Sequence, residues 1–237
     1  MTRLSVNINK IATLRNARGG NIPDVTEAAI RIQQYGAEGI TVHPRPDERH
    51  IRYDDVRSIA RIITTEFNIE GYPDKRFIQL IEEIKPHQVT LVPDPPGVIT
   101  SNSGWDTICH QSFLKEVIAH FKSLGCRVSV FLNADIKMVE PAASAGTDRI
   151  ELYTGPYAEH YPHHPEKAVA PYVETAKEAL ANHLGINAGH DLNLKNLKFF
   201  KQHIPELLEV SIGHALISDA LYFGLENTVG MYKRLLN

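Results

Sequence analysis

A buried apolar strand, a polar loop and an amphipathic helix follow one another about eight times along this chain, which predicts an α/β protein with parallel strands and helical crossovers. Eight such units in 237 residues favour closure into one (β/α)8, or TIM, barrel domain over 1–237. A doubly wound open sheet is the competing architecture, but the first loop lacks the GxGxxG phosphate fingerprint. The clearest unit is Gly39-Ile-Thr-Val-His-Pro-Arg-Pro-Asp-Glu-Arg-His50, an apolar run that stops at a histidine and enters a loop carrying Arg45, Arg49 and His50. An apolar run after a glycine suits a strand buried on both faces. Ligands of parallel α/β proteins sit at the edge where such a strand ends.

Strand one is expected over 4–8, with Asn7, Asn9 and Lys10 at its end and a Gly/Arg-rich loop over 13–21. Asp24 and Glu27 resemble a capping box, and Val25, Ala28, Ala29 and Ile32 recur behind them at helical spacing. Strand two is 39–42. Val56, Ile59, Ala60, Ile63 and Phe67 form the stripe of the next helix. Strand three follows at 68–71 and presents Glu70; a helix over 74–84 leads to strand four at 88–92. Residues 93–106 form the longest irregular stretch, and a loop of that length in a compact domain is usually functional, here as a lid. Phe113, Val117, Phe121 and Leu124 mark the helix before strand five at 127–132. Pro141 falls where the middle of the next helix should be. Strand six, 149–152, carries Glu151; a His/Pro/Tyr loop over 157–165 precedes a helix starting near Pro171. Strand seven is 185–188, followed by Gly189 and His190. A short helix over 193–203, with Asn193 as N-cap, leads to strand eight at 209–212. Gly213 and His214 come next, and helical pattern continues to Leu236.

The composition is that of a soluble globular protein, with 43% hydrophobic and 22% charged residues. A net charge of −3 gives no footing for nucleic acid or an anionic membrane as partner. No apolar run approaches a membrane span. The start enters a strand-like pattern directly, without a signal-peptide core, and Cys109 and Cys126 form no close pair. A cytoplasmic protein is expected.

On a barrel, Asn7, His43, Glu70, Glu151, Asn187, His190 and His214 all fall at one mouth. Singly, each has an ordinary structural explanation, a hydrogen-bonded histidine or a capping carboxylate. Jointly they describe an active site, because barrel chemistry is assembled from the ends of different strands. Histidines and desolvated carboxylates there suit proton transfer, with Glu70 as candidate general base. Gly213-His214 opening a helix supplies backbone N–H groups for a phosphate, and Arg15, Arg18 and Arg45 could add cations. Twelve histidines invite a metal reading, but neither the cluster His160, His163 and His164 nor any other pair has metal-ligand spacing. Lys10 suits a phosphate or carboxylate partner or, alternatively, a Schiff base.

Five segments, Val6-Asn-Ile-Asn-Lys-Ile-Ala-Thr-Leu-Arg-Asn-Ala-Arg-Gly19, the 39–50 stretch, Asn68-Ile-Glu70, Ile186-Asn-Ala-Gly-His190 and Ile212-Gly-His-Ala-Leu-Ile217, resemble in content and order the pyridoxine 5′-phosphate synthase family of the deoxyxylulose-dependent route to vitamin B6. The resemblance spans essentially the whole chain. It implies a (β/α)8 barrel with extra helices, assembled as a homo-octamer. It also implies condensation of 1-deoxy-D-xylulose 5-phosphate with 3-amino-2-oxopropyl phosphate to pyridoxine 5′-phosphate, phosphate and water, with no metal or other cofactor. The imine forms between the two substrates, so no enzyme lysine is needed. By position, His43 and Glu70 match the family's proton acceptors, His190 its proton donor and Glu151 the carboxylate that stabilises charge. Asn7, Arg18, Gly213 and His214 match contacts to the amino-ketone phosphate; Arg45, His50 and Thr100 match those to the deoxyxylulose phosphate, Thr100 within the expected lid. The chain departs from the family at Asn9 and Lys10, where many members have Asp-His at the deoxyxylulose site. It departs again at Asp191, where glycine is common and a main-chain substrate contact is expected.

Overall fold

The computed structural model describes residues 1–94 and 103–237. Its centre is a closed, all-parallel barrel of β1 (Arg3–Asn7), β2 (Gly39–Val42), β3 (Glu66–Gly71), β4 (Gln88–Leu91), β5 (Arg127–Leu132), β6 (Arg149–Leu152), β7 (Gly185–Gly189) and β8 (Glu209–Ile212), in sequence order, with β8 pairing back onto β1. Along each strand apolar and polar residues alternate, and the alternation defines two environments. The apolar set, such as Leu4, Ile40, Ile69, Val89, Val130 and Ile150, is fully buried beneath the helices. The polar set points into the barrel. Hydrogen bonds between non-neighbouring strands, Gln88 Nε2 to Glu209 Oε1 at 3.4 Å and Ser211 Oγ to Glu70 Oε1 at 3.5 Å, can only cross its interior. The strands are thus buried on both faces, as expected, but one of those faces is polar.

Eleven α-helices surround the barrel among the described residues. α1 (Asn9–Asn16) occupies ground expected in part to be loop: Ile11, Ala12 and Arg15 bury one face of it, and irregular chain begins only beyond it. α2 (Val25–Gln34) starts as expected at Asp24, whose carboxylate accepts from the N–H groups of Thr26 and Glu27. α3 (Tyr53–Ala60) is shorter than its apolar stripe suggested, because Phe67 lies on β3 and packs outward from the sheet. α4 (Lys75–Ile84) is capped by Asp74, and α5 (Gln111–Ser123) precedes β5. Pro141 lies in the first turn of α6 (Val139–Ser144), where its missing N–H is not needed. The His/Pro/Tyr loop contains α7 (Gly155–His160), and α8 (Pro165–Ala181) starts at Pro165, with Pro171 inside it. α9 (Leu197–His203) has Asn196 at its N-cap instead of Asn193, whose side chain accepts from Lys195 N–H one turn earlier. Gly224, at φ 77°, divides the last helical stretch into α10 (His214–Phe223) and α11 (Leu225–Leu236).

Two features position the barrel mouth. At the opposite end Arg3, Glu66, Arg127, Arg149 and Glu209 form an ionic floor, with Arg3 Nη1 2.8 Å from Glu66 Oε2 and Arg149 Nη1 3.7 Å from Glu209 Oε2. At the mouth α1 clamps the loop after β2. Arg15, 1% exposed, makes paired bonds of 2.6 and 2.8 Å to Asp55 at the start of α3. It also donates to the His50 carbonyl, as does Asn16. Arg15 is therefore a structural cation and not a phosphate ligand.

Candidate active site

The C-terminal ends of the strands enclose a cavity of about 510 Å³. Asn7, Asn9 and Lys10 reach it from β1 and α1; His43, Arg45, Arg49 and His50 from the loop after β2. Glu70 and Glu151 reach it from β3 and β6, and His190, Asp191, Gly213 and His214 from beyond β7 and β8. Twelve of the expected site residues are thereby brought together. Arg18 lies exposed beyond α1 and does not line the cavity. Thr100 and most of the expected lid fall outside the described residues, Asn187 lies deeper in the barrel, and His160, His163 and His164 do not line the cavity.

Burial sets the charges. Glu70 is pushed up to about 8, by desolvation first and then by the charges of Glu209 and Asp94, against a hydrogen bond from Ser211. Glu151 lies well above the usual carboxylate range, through desolvation and then the neighbouring Glu70. His43 is held well below the usual imidazole range by burial, with Arg45, His50 and His190 adding to the effect. His43 Nδ1 stands 3.8 Å from Glu70 Oε2. That spacing has the geometry of an ion pair, but both shifts favour the uncharged forms, so the contact is between a neutral imidazole and a carboxyl. It is a pair able to accept and return protons near neutral pH.

Hydrogen bonds fix these groups. Asn7 Nδ2 lies 3.4 Å from Glu70 Oε2, and Asn7 Oδ1 accepts from Asn9 N–H at 3.1 Å. Asn9 Oδ1 accepts from His43 N–H at 3.0 Å, so its carbonyl oxygen holds the end of β2. Arg45 Nη2 is 2.7 Å from Asp94 Oδ2, both side chains being buried. His50 Nδ1 accepts from Ile51 N–H at 2.9 Å. Burial, Arg45 and Lys10 hold His50 down at about 4. His50 is thus neutral and carries its proton on Nε2, a donor for an anion. Across the cavity, Gly213 precedes α10, whose first N–H groups have no partner within the helix and suit an anion. A Cβ on Gly213 would meet Asn7 O at 3.1 Å, a tight contact that glycine avoids.

Ser211, Asp94 and Thr90, which lies 3.5 Å from Glu151 Oε2, were not anticipated from the sequence. The signal for Thr90 and Ser211 is the period-two polar pattern of their strands. Among the described residues no group of three or more His, Cys, Asp or Glu is placed to hold a metal ion. No helix there is long and apolar enough to cross a membrane.

A closed parallel barrel whose mouth gathers acid–base groups, cationic side chains and a helix N-terminus has the architecture of enzymes that work on small phosphorylated compounds. Residues 4–237 match the family described as Pyridoxal phosphate biosynthesis protein PdxJ, and the chain belongs to that family. It is 63% identical over 236 residues to a pyridoxine 5′-phosphate synthase of Cytophaga hutchinsonii, covering 100% of this chain and 99% of the relative. A Bacteroides thetaiotaomicron protein of the same name is 62% identical, with 100% of both chains covered. Solved structures share the fold at low identity. A phosphoribosylanthranilate isomerase from Thermotoga maritima aligns with TM-score 0.60 at 14% identity, covering 100% of this chain and 98% of that one. A tryptophan synthase from M. tuberculosis aligns with TM-score 0.66 at 11% identity, covering 100% and 94%.

Proposed function

We propose that this chain is an enzyme condensing 1-deoxy-D-xylulose 5-phosphate with 3-amino-2-oxopropyl phosphate to give pyridoxine 5′-phosphate, inorganic phosphate and water. The observation that carries the reading is the cavity: neutral His43 and protonatable Glu70 lie between two separate anion-binding edges, one for each substrate phosphate. Asn7, Gly213 and His214 form the edge for the amino-ketone phosphate, with Asp191 beside it. Arg45 and His50 form the edge for the deoxyxylulose phosphate, with Lys10 as a further cation on the rim and Thr100 beyond the described residues.

The substrate amine attacks the partner's ketone, and the imine joins the two substrates. Neutral His43 and the ionised form of Glu70, which a group titrating at about 8 still populates near neutral pH, take up protons as the imine and the later carbon–carbon bond form. His190 returns one to a departing oxygen, and the phosphate lost comes from the deoxyxylulose partner. Glu151 suits the charge-stabilising role. Burial and the neighbouring Glu70 raise its carboxyl well above the usual range, and a nearby iminium would favour the carboxylate. A homo-oligomer is supported by the exposed apolar residues Leu221, Tyr222 and Phe223 on α10.

Purified protein supplied with both substrates, with and without a chelator, tests the reading. Pyridoxine 5′-phosphate and phosphate should appear in equal amounts at a rate the chelator leaves unchanged. No product, or a covalent adduct on Lys10 after borohydride reduction, would overturn it in favour of a phosphometabolite binder or a lysine-dependent aldolase. Activity lost with chelator and restored by a divalent ion would overturn the metal-free mechanism.

A further inference from the structure

The turn after β7 leaves regular geometry at His190, whose φ of 60° lies in the left-handed region. A non-glycine residue is strained there and persists only where its surroundings hold it. Here they do. His190 N–H donates to Ser211 O at 3.2 Å, and Asp191 N–H donates to Gly189 O at 2.9 Å. Asp191 N also lies 3.3 Å from Oγ1 of buried Thr154, whose hydroxyl donates to Gly189 O. The side-chain amides of Asn193 and Asn196 donate to Asp191 O at 3.2 and 3.3 Å. Both main-chain groups of Asp191 are therefore engaged within the protein. Its side chain extends to the histidine: Oδ2 stands 2.6 Å from His190 Nδ1.

An ionised carboxylate only accepts hydrogen bonds. Nδ1 must therefore carry the proton, leaving Nε2 as the ring nitrogen for the cavity that His190 lines. The Tyr153 ring packs in a T-shaped contact with the imidazole, 5.7 Å between centroids. We propose that Asp191 is a positioning residue, whose carboxylate fixes the tautomer and direction of His190 so that proton exchange with substrate takes place at Nε2. This role differs from the main-chain substrate contact expected at the position. Its kinetic consequence rests on the synthase reading; its structural content does not.

The experiment joins two readouts on wild type, Asp191→Gly and Asp191→Ala. Nitrogen-15 spectra of histidine-labelled protein, with His190 assigned by the signal lost in His190→Gln, should show a protonated Nδ1 in wild type. In both Asp191 variants that signature should be lost. Steady-state kinetics should show kcat lower by about 10-fold, the scale on which a histidine's outer partner acts, with KM for both substrates within about twofold. An identical nitrogen signature in wild type and variants would overturn the proposal. So would a raised KM for the amino-ketone phosphate at unchanged kcat, which would make Asp191 a substrate contact. A wild-type protein that forms no product would remove the synthase reading, and the nitrogen spectra would still decide the role of Asp191.

Discussion

Glu70 is held from two sides of the barrel, by Asn7 Nδ2 at 3.4 Å and Ser211 Oγ at 3.5 Å. Glu70→Gln keeps that shape and removes the titration. Turnover should fall on the order of 10²–10⁴-fold, as for a lost general acid–base group, while binding of each substrate persists; full activity would remove Glu70 from the mechanism. The same change has a stability signature. A carboxyl raised from 4.5 to about 8 holds a proton in the folded protein that the unfolded chain has released between those values. Folding stability contributed by this group therefore falls as pH rises through that window. Glu70→Gln should gain Tm relative to wild type at pH 8 and gain less at pH 5; a pH-independent difference would contradict the assignment. Much of the site was legible, because His43, Glu70, Glu151, His190 and His214 stand where apolar strands run out. Asp94 was not, because its partner Arg45 is remote in sequence and only the closed barrel brings them together.

The elements were readable where one periodicity dominated and misread where two met. Strands 39–42, 127–132, 149–152 and 209–212 match their expected bounds, whereas Phe67 continued a helical stripe by spacing alone and belongs to β3. The alternation that places Thr90 and Ser211 inside the barrel was present in the sequence, but the strands read simply as buried apolar runs. α1 was hidden for another reason: its anchor is Arg15, a charged residue that looks solvated until Asp55 is brought to it. Arg15→Ala leaves Asp55, 16% exposed, without its cation. Removing one member of a buried pair costs about 3–5 kcal/mol, and partial exposure of Asp55 argues for the lower end. A chain of this size should then lose roughly 6–12 °C in Tm. KM for the deoxyxylulose substrate should rise as the His50 loop loosens. Arg15→Lys should recover only part, since a point charge cannot replace the paired bonds. An unchanged Tm would show that the clamp lies elsewhere.

At the scale of the whole molecule, the last turn of α10 is poorly suited to water. Leu221 is 73%, Tyr222 84% and Phe223 49% exposed, three large apolar residues in succession. Single exposed apolar side chains are ordinary, but a contiguous group marks a surface that is covered in the working state. The homo-octamer that the family resemblance implies would cover it with another copy of the same chain. Helical spacing in the sequence did not reveal this, because it runs through to Leu236 and does not say which face the barrel leaves uncovered. Light scattering should therefore give a mass several times the 26.6 kDa of one chain. The double variant Leu221→Glu, Tyr222→Glu should lower that mass in a concentration-dependent way while circular dichroism keeps the helical content of wild type. A monomeric wild type, or a variant that assembles undiminished, would mean that α10 faces something other than its own kind.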